Sequence, residues 1–330
     1  MRLRAIAAVV LALLALAACA VPPQPVEPAA EQEVVAGAPG PGRERIVVHG
    51  TGDVSLDPDY IPALRANGYA HAWSGLDGLF ADDDLTIINL ECPVSTRGTP
   101  VEKAFTFRCD PAALPAAHAA GVDVANLANN HIRDFGRDAM LDSIRHAHEA
   151  GIAPVGVGTD LAAATAPAIV ERSGWRIAVL GFGGVVPDSG WLATPRSPGL
   201  ASGDDLDLMV EAVRAADAVA DLVFVTIHWG MELDTEPRPD DTRFAEAMIE
   251  AGADGIFGHH QHRLGPLGVH RGRPIAWGLG NFVWPRLSQE SATTAVARFV
   301  VEPDGTVHGC LIPAVISGHG HPELVGSPAC

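Results

Sequence analysis

The chain is short of aromatic side chains and of cations. Phe, Trp and Tyr supply 5% of its 330 residues, and 22 Lys and Arg stand against 40 Asp and Glu, a formal net charge of −18. Such a balance argues against nucleic acid as a partner, because neutralising phosphates takes clustered cations. It also argues against electrostatic adhesion to anionic lipid headgroups. The five cysteines include no C-x-x-C pair, which removes the usual thiolate metal sites. No internal repeat marks a solenoid. The uninterrupted apolar run from Ala5 to Ala18 is too short for a comfortable membrane span.

That run has another reading. Arg2 and Arg4 precede it and Leu16-Ala17-Ala18-Cys19 closes it, the pattern of a lipoprotein signal peptide with its lipobox. Residues 1–18 are therefore predicted to be a cleaved signal and Cys19 the lipidated N-terminus of an exported protein, held at the extracytoplasmic face of the bacterial membrane. Residues 19–45 are rich in Pro, Ala, Glu and Gly and bury too little apolar surface to offset their chain entropy, so a disordered linker is expected. Residues 317–330 read as a second irregular tail. Cys92, Cys109, Cys310 and Cys330 remain, an even number that fits an oxidising compartment. Four cysteines allow three connectivities, and spacing does not choose among them.

With 48% apolar residues, the part between is ample for a large core. Strand-like runs cover 46–50, 85–90, 122–127, 175–182, 222–227 and 255–258, and helical spacing marks 137–150, 205–220 and 240–251. The last stretch, 267–269, 275–279, 294–301 and 306–312, is strand-rich. Helix–strand alternation followed by hairpins predicts an α/β fold of packed mixed sheets covered by helices.

Several of these strands run into polar motifs. Gly52-Asp53, Asn89-Leu90-Glu91, Asn129-Asn130-His131, His228-Trp229-Gly230 and Gly258-His259-His260-Gln261-His262 each follow an apolar run. Strand ends are where open α/β sheets place ligands. Asp53 and Glu91 offer carboxylates, Asn130 an amide oxygen, and His228, His260 and His262 imidazoles, together the donors of a divalent-metal site. His260 and His262 are two apart, so in an extended segment they project the same way. On that reasoning His259 points elsewhere and is structural.

In this order the motifs, with Gly278-Leu279-Gly280-Asn281-Phe282 after them, resemble the CapA family of bacterial capsule synthesis proteins, from about residue 46 to 316. That family is associated with poly-γ-glutamate capsules and has a metallophosphoesterase-like fold. The resemblance implies a four-layer α/β/β/α sandwich with one or two divalent ions (Mn, Zn or Fe) at the strand ends. Asp53 and His262 would hold the first ion, Asn130, His228 and His260 the second, and Glu91 would bridge them. His131 would be the catalytic histidine, oriented by Asp134, with Arg108 and Asn281 as substrate contacts. The chain departs from metallophosphoesterases at Ser55, where Asp-x-His is usual, and at Glu91, where the bridge is usually Asp. The first ion position is therefore short of an imidazole.

Two functions follow as expectations. One is a metal-dependent hydrolase acting on a cell-envelope or capsule polymer, in company with capsule synthesis machinery. The other is a non-catalytic factor that binds or exports the polymer with a degenerate metal site. Disulfides Cys92–Cys109 and Cys310–Cys330 are expected. Cys92 directly follows Glu91, and Cys109 follows Arg108 in a segment expected to fold back over the same cleft.

Overall fold

A computed structural model of the chain describes residues 42–326. Two β-sheets pack face to face. In the first, seven strands lie in the order His321–Leu324, Val307–Gly318, Thr293–Val301, Ile46–Val54, Leu85–Leu90, Val122–Asn126 and Ala153–Val155, and Asn281–Val283 pairs with the far end of Ile46–Val54. The second runs Leu267–His270, Arg273–Ala276, Gly255–His259, Leu222–His228, Trp175–Gly183 and Ala168–Arg172. In each sheet a group of adjacent strands is parallel and its neighbours are antiparallel. Parallel neighbours put their C-terminal ends along one side of a sheet, and that side carries the polar motifs.

Ile46, Val48, Leu85 and Ile87 of the first sheet meet Ile177, Val179, Phe224 and Phe257 of the second in a continuous apolar layer. Phe257 stacks on Phe299 with ring centroids 4.3 Å apart. A Cβ at Gly50 would fall 2.2 Å from the Phe257 ring, so only glycine admits the ring at this strand position. Helix Leu206–Asp217, capped by the Asp205 carboxylate on Leu208 N, covers the second sheet with Pro239–Glu250. Leu114–Ala119 and Arg137–Glu149 cover the first through Leu114, Met140 and Ala147. The result is the four-layer α/β/β/α sandwich that the family resemblance implies.

Helix Arg137–Glu149 departs from a plain apolar stripe. Asp142 and Ser143 are buried, whereas Leu141 and Ile144 are only partly so. Ser143 Oγ accepts from Val94 N, and Asp142 accepts from Ser95 Oγ and Arg97 Nε. The helix thereby grips the start of the long connection after Leu85–Leu90, which returns across the polar end of the sheet.

The predicted C-terminal tail needs correction. Strand Val307–Gly318 extends through 317, and His321–Leu324 pairs back on it, with Ala314 opposite Leu324. Its His and Pro obscure the strand pattern, but Gly320 at φ +72° makes the turn, and His321 is held by Ser74 Oγ and the stacked His71 ring. At the other end the expected linker gives way to ordered chain by Glu44, whose N donates to Ser173 O. The signal segment, Cys19, the linker as far as residue 41, and Cys330 with its expected bond to Cys310 lie outside the described residues. Among the described residues no helix is long and apolar enough to cross a membrane.

Candidate metal centre

The site begins with a backbone constraint. Asp53 N donates to Gly280 O at 2.9 Å, and a Cβ on Gly52 would meet that same oxygen at 2.2 Å. Glycine before Asp53 thus lets the 279–283 segment pass close and fixes where the carboxylate lies. Glu91 follows strand Leu85–Leu90, with its N bonded to Val54 O. His228 ends the strand beside Gly255–His259, in register with His259. Both sheets therefore deliver carboxylates and imidazoles to one buried cleft.

Asp53, Glu91 and His228 each place a ligand atom within 4.8 Å of the other two. Around Glu91 Oε1 stand three imidazole nitrogens: His131 Nε2 at 3.8 Å, His228 Nε2 at 3.9 Å and His262 Nε2 at 3.9 Å. That oxygen is buried with no hydrogen-bond partner, and so are His260 Nδ1 and His262 Nδ1. His262 Nδ1 lies 3.0 Å from Asp53 Oδ2 but is not aligned for a hydrogen bond. Native interiors rarely leave such groups unpaired, still less several at one spot. Two ligands about 2.1 Å from one ion stand roughly 3 to 4 Å apart, which is the spacing found here. Asn130 Oδ1 and His228 Nε2, 3.1 Å apart, are bonded to each other, so a proton occupies the gap two ligands would share. The donor set fits a divalent ion.

Electrostatics agree. Burial pushes the Glu91 carboxyl well above the ordinary range, helped by the neighbouring Asp53 charge. Burial also pushes Asp53 upward, but His262, His259 and Asn89 outweigh it and hold that carboxyl low. Burial, then the neighbouring imidazoles, carries His228 well down, and burial takes His259 and His260 to about 4. His228, His259 and His260 are thus neutral near pH 7, the form that binds metal.

The surrounding residues take the following places. His131 Nδ1 lies 2.6 Å from Asp134 Oδ2, within hydrogen-bond reach. His260 and His262 reach the site without an extended segment: both adopt left-handed backbone, φ +92° and +54°. For non-glycine residues that conformation is strained, and such strain collects at functional sites. His259 does not point away from the centre. Its Nε2 bonds Thr226 Oγ1 at 2.9 Å, while its Nδ1 faces Asp53 Oδ1 at 3.8 Å. Arg108, expected on substrate, instead braces the structure: its guanidinium lies 3.5 Å over the Phe135 ring and donates to Gly98 O. Asn281 is buried in the sheet, donating to Ser291 O.

Other residues, to which the motifs gave no role, contribute. Asn89 Nδ2 donates to Asp53 Oδ1 at 2.8 Å and lies 3.2 Å from His228 Nδ1, while Asn89 Oδ1 accepts from Asn126 and Asn129. One buried amide so orients ligands from both sheets; the signal was an asparagine inside an apolar strand. The connection after Glu91 is tied by the expected disulfide Cys92–Cys109, Cα atoms 5.7 Å apart. It presents Phe107, stacked on His131 at 4.2 Å, and Trp284 packs edge-on against Phe107 and 4.9 Å from the His262 ring. Lys103, the chain's single lysine, comes from the same connection.

The family signature of the bacterial capsule synthesis protein PGA_cap matches residues 47–286, and the chain belongs to that family. Relatives include the capsule biosynthesis protein CapA of Bacillus anthracis, 29% identical over 89% of this chain and 73% of that protein. The PGA biosynthesis protein CapA of Bacillus subtilis is 28% identical over 77% of this chain and 67% of its own length. A protein of Mycobacterium tuberculosis named as a probable polyglutamine synthesis accessory protein is 35% identical, over 61% of this chain and 55% of that one. Among solved structures, the NAD nucleotidase of Haemophilus influenzae superposes with a TM-score of 0.47 at 11% identity, covering 86% of this chain and 54% of that one. The chain thus spans little more than half of the mycobacterial relative and of the nucleotidase.

Proposed function

We propose that this chain is a metal-dependent hydrolase of metallophosphoesterase type that acts on a cell-envelope or capsule polymer, exported and held to the membrane by lipid on Cys19. The observation that carries the chemistry is the unpartnered, buried Glu91 Oε1 ringed by three imidazole nitrogens. Asn130, His228 and His260 would hold one ion, Asp53 and His262 the other, with Glu91 between them. A divalent ion there supplies Lewis acidity and an acidified water. His131, its Nδ1 proton held by Asp134, turns Nε2 into the cleft, where it can carry a proton to a leaving oxygen. Phe107 and Trp284 screen the two histidines from bulk water. Family membership supports the capsule setting, and the lipobox supports the anchor.

The non-catalytic reading has one observation in its favour: Ser55 stands where an imidazole would serve the first ion, and its buried Oγ has no partner. Metal content of the purified protein, read with a panel of phosphoester and γ-glutamyl substrates, separates the two. Stepwise filling is expected, the imidazole-rich site first. His228→Ala should remove nearly all metal, whereas His262→Ala should leave about one ion. Equal loss in both variants, or native protein that takes up no metal, would show the assignment wrong. Cys19→Ala should abolish lipid labelling; unchanged membrane retention would overturn the anchor.

A further inference from the structure

Lys103 is alone of its kind in 330 residues, and it stands against the turn bearing Asn130 and His131. Its ammonium donates to Asn130 O at 2.6 Å and to Asp134 Oδ1 at 2.8 Å, and lies 3.1 Å from His131 Nδ1. The Asp134 side chain is fully buried, that of Lys103 20% exposed. The other oxygen of Asp134 lies 2.6 Å from His131 Nδ1 and accepts from Phe107 N, and the Asp134 backbone oxygen accepts from Val101 N. Asp134 thus takes bonds from Val101, Lys103 and Phe107, all in the connection that carries Lys103.

This arrangement constrains the imidazole. His131 Nδ1 has two polar neighbours, a carboxylate oxygen at 2.6 Å and an ammonium at 3.1 Å. An ammonium has no lone pair to accept with; its third N–H could meet only a bare Nδ1, which would leave that nitrogen's lone pair against the Asp134 carboxylate oxygen at 2.6 Å. By taking Oδ1, the ammonium leaves Oδ2 to face the ring and holds the carboxylate plane in place. The ring then satisfies Oδ2 only with its proton on Nδ1, which leaves the bare Nε2 toward Glu91 and the cleft. Without the ammonium, Asp134 is a buried carboxylate with no cation beside it, free to turn and to release the ring.

We propose that Lys103 is a positioning residue: through Asp134 and the Asn130 carbonyl it fixes the orientation and the Nδ1–H tautomer of His131. The proposal rests on the reading of His131 as the proton carrier of the site. Its test uses metal-free protein and no substrate, so the two fail separately. Long-range proton–nitrogen NMR of histidine-labelled protein, with His131 assigned by loss of its signals in His131→Gln, reports which ring nitrogen holds the proton. Wild type should show one Nδ1–H species, since a charge-assisted hydrogen bond favours the bonded tautomer about tenfold or more. Lys103→Met should give averaged shifts at both nitrogens, and Lys103→Arg, which keeps a donor pair for Asp134 and Asn130, should restore the single species. An Nε2–H tautomer in wild type overturns the proposal. So does an unchanged His131 signature in Lys103→Met, whether or not that variant melts lower. If the methionine variant does not fold, Lys103→Ala, which likewise has no donor, is read in its place, and a retained Nδ1–H species there likewise overturns it.

Discussion

Replacing Glu91 by Gln tests the metal centre through folding stability and needs no substrate. Burial beside Asp53 raises the Glu91 pKa in the metal-free fold. A raised folded pKa contributes stability that is present below the unfolded value, about 4.3, and is lost as pH climbs through the folded one. Metal-free wild type should therefore soften as pH rises, and metal should relieve that loss by taking the proton's place. At 100 times the dissociation constant, ligand binding adds about 2.7 kcal/mol. The roughly 285 described residues (42 to 326) carry an unfolding entropy near 0.6 kcal/mol per degree, so Tm should rise about 4–5 °C. Glu91→Gln keeps the shape and removes both the charge and the bridging ligand. Its metal-free form should melt no lower than wild type at pH 8, and most of the metal-induced rise should vanish. Differential scanning calorimetry in chelator and in added Zn²⁺ or Mn²⁺, at pH 5 and pH 8, measures both quantities. A variant that melts lower in chelator at pH 8 yet keeps the full metal shift would refute the reasoning.

Three further perturbations reach different levels of the structure. Gly52→Ala drives a methyl into Gly280 O, 2.2 Å from the ideal Cβ; overpacking of this kind costs about 1–3 kcal/mol, so Tm should fall and the ion beside Asp53 should be lost first, by metal analysis. Removing the Cys92–Cys109 bond, which spans 17 residues, should cost about 3 kcal/mol and make the 93–108 connection more accessible to protease, with an unchanged cleavage pattern counting against its bracing role. Asp254 immediately precedes strand Gly255–His259, at the end opposite His259, and burial holds its pKa at about 6 against the pull of Arg273 and the Val223 N–H. Its contribution is present below about pH 4 and fades as pH rises through 6, costing about 1.4 kcal/mol between pH 5 and pH 8. Asp254→Asn should flatten that part of the pH–stability curve, and a slope equal to wild type would contradict the assignment.

The strand ends were legible because local rules write them: an apolar run, then Asp, Glu, Asn or His, repeated five times. Knowing that parallel strands expose their C-terminal ends together was enough to bring Asp53, Glu91, Asn130, His228, His260 and His262 to one place. What escaped depends on crossing distances that no local pattern records. Asn89 matters because it reaches Asp53 on one sheet and His228 on the other. Lys103 matters because a connection pinned by Cys92–Cys109 and by Ser143 swings it back onto Asp134. The two left-handed histidines were invisible for the opposite reason: sequence preference argues against them, and only the site's need for both rings explains the strain. Ser55 lies between these cases. Its departure from Asp-x-His is plain in the sequence, but only the fold shows that no side chain fills its hydrogen-bonding role and that His259 Nδ1 approaches Asp53 instead. The two ion positions proposed above would therefore be unequal. A chain that retains Glu91, His228 and Asn130 intact while leaving the Asp53 side short of an imidazole should hold one ion firmly and a second only when metal is abundant.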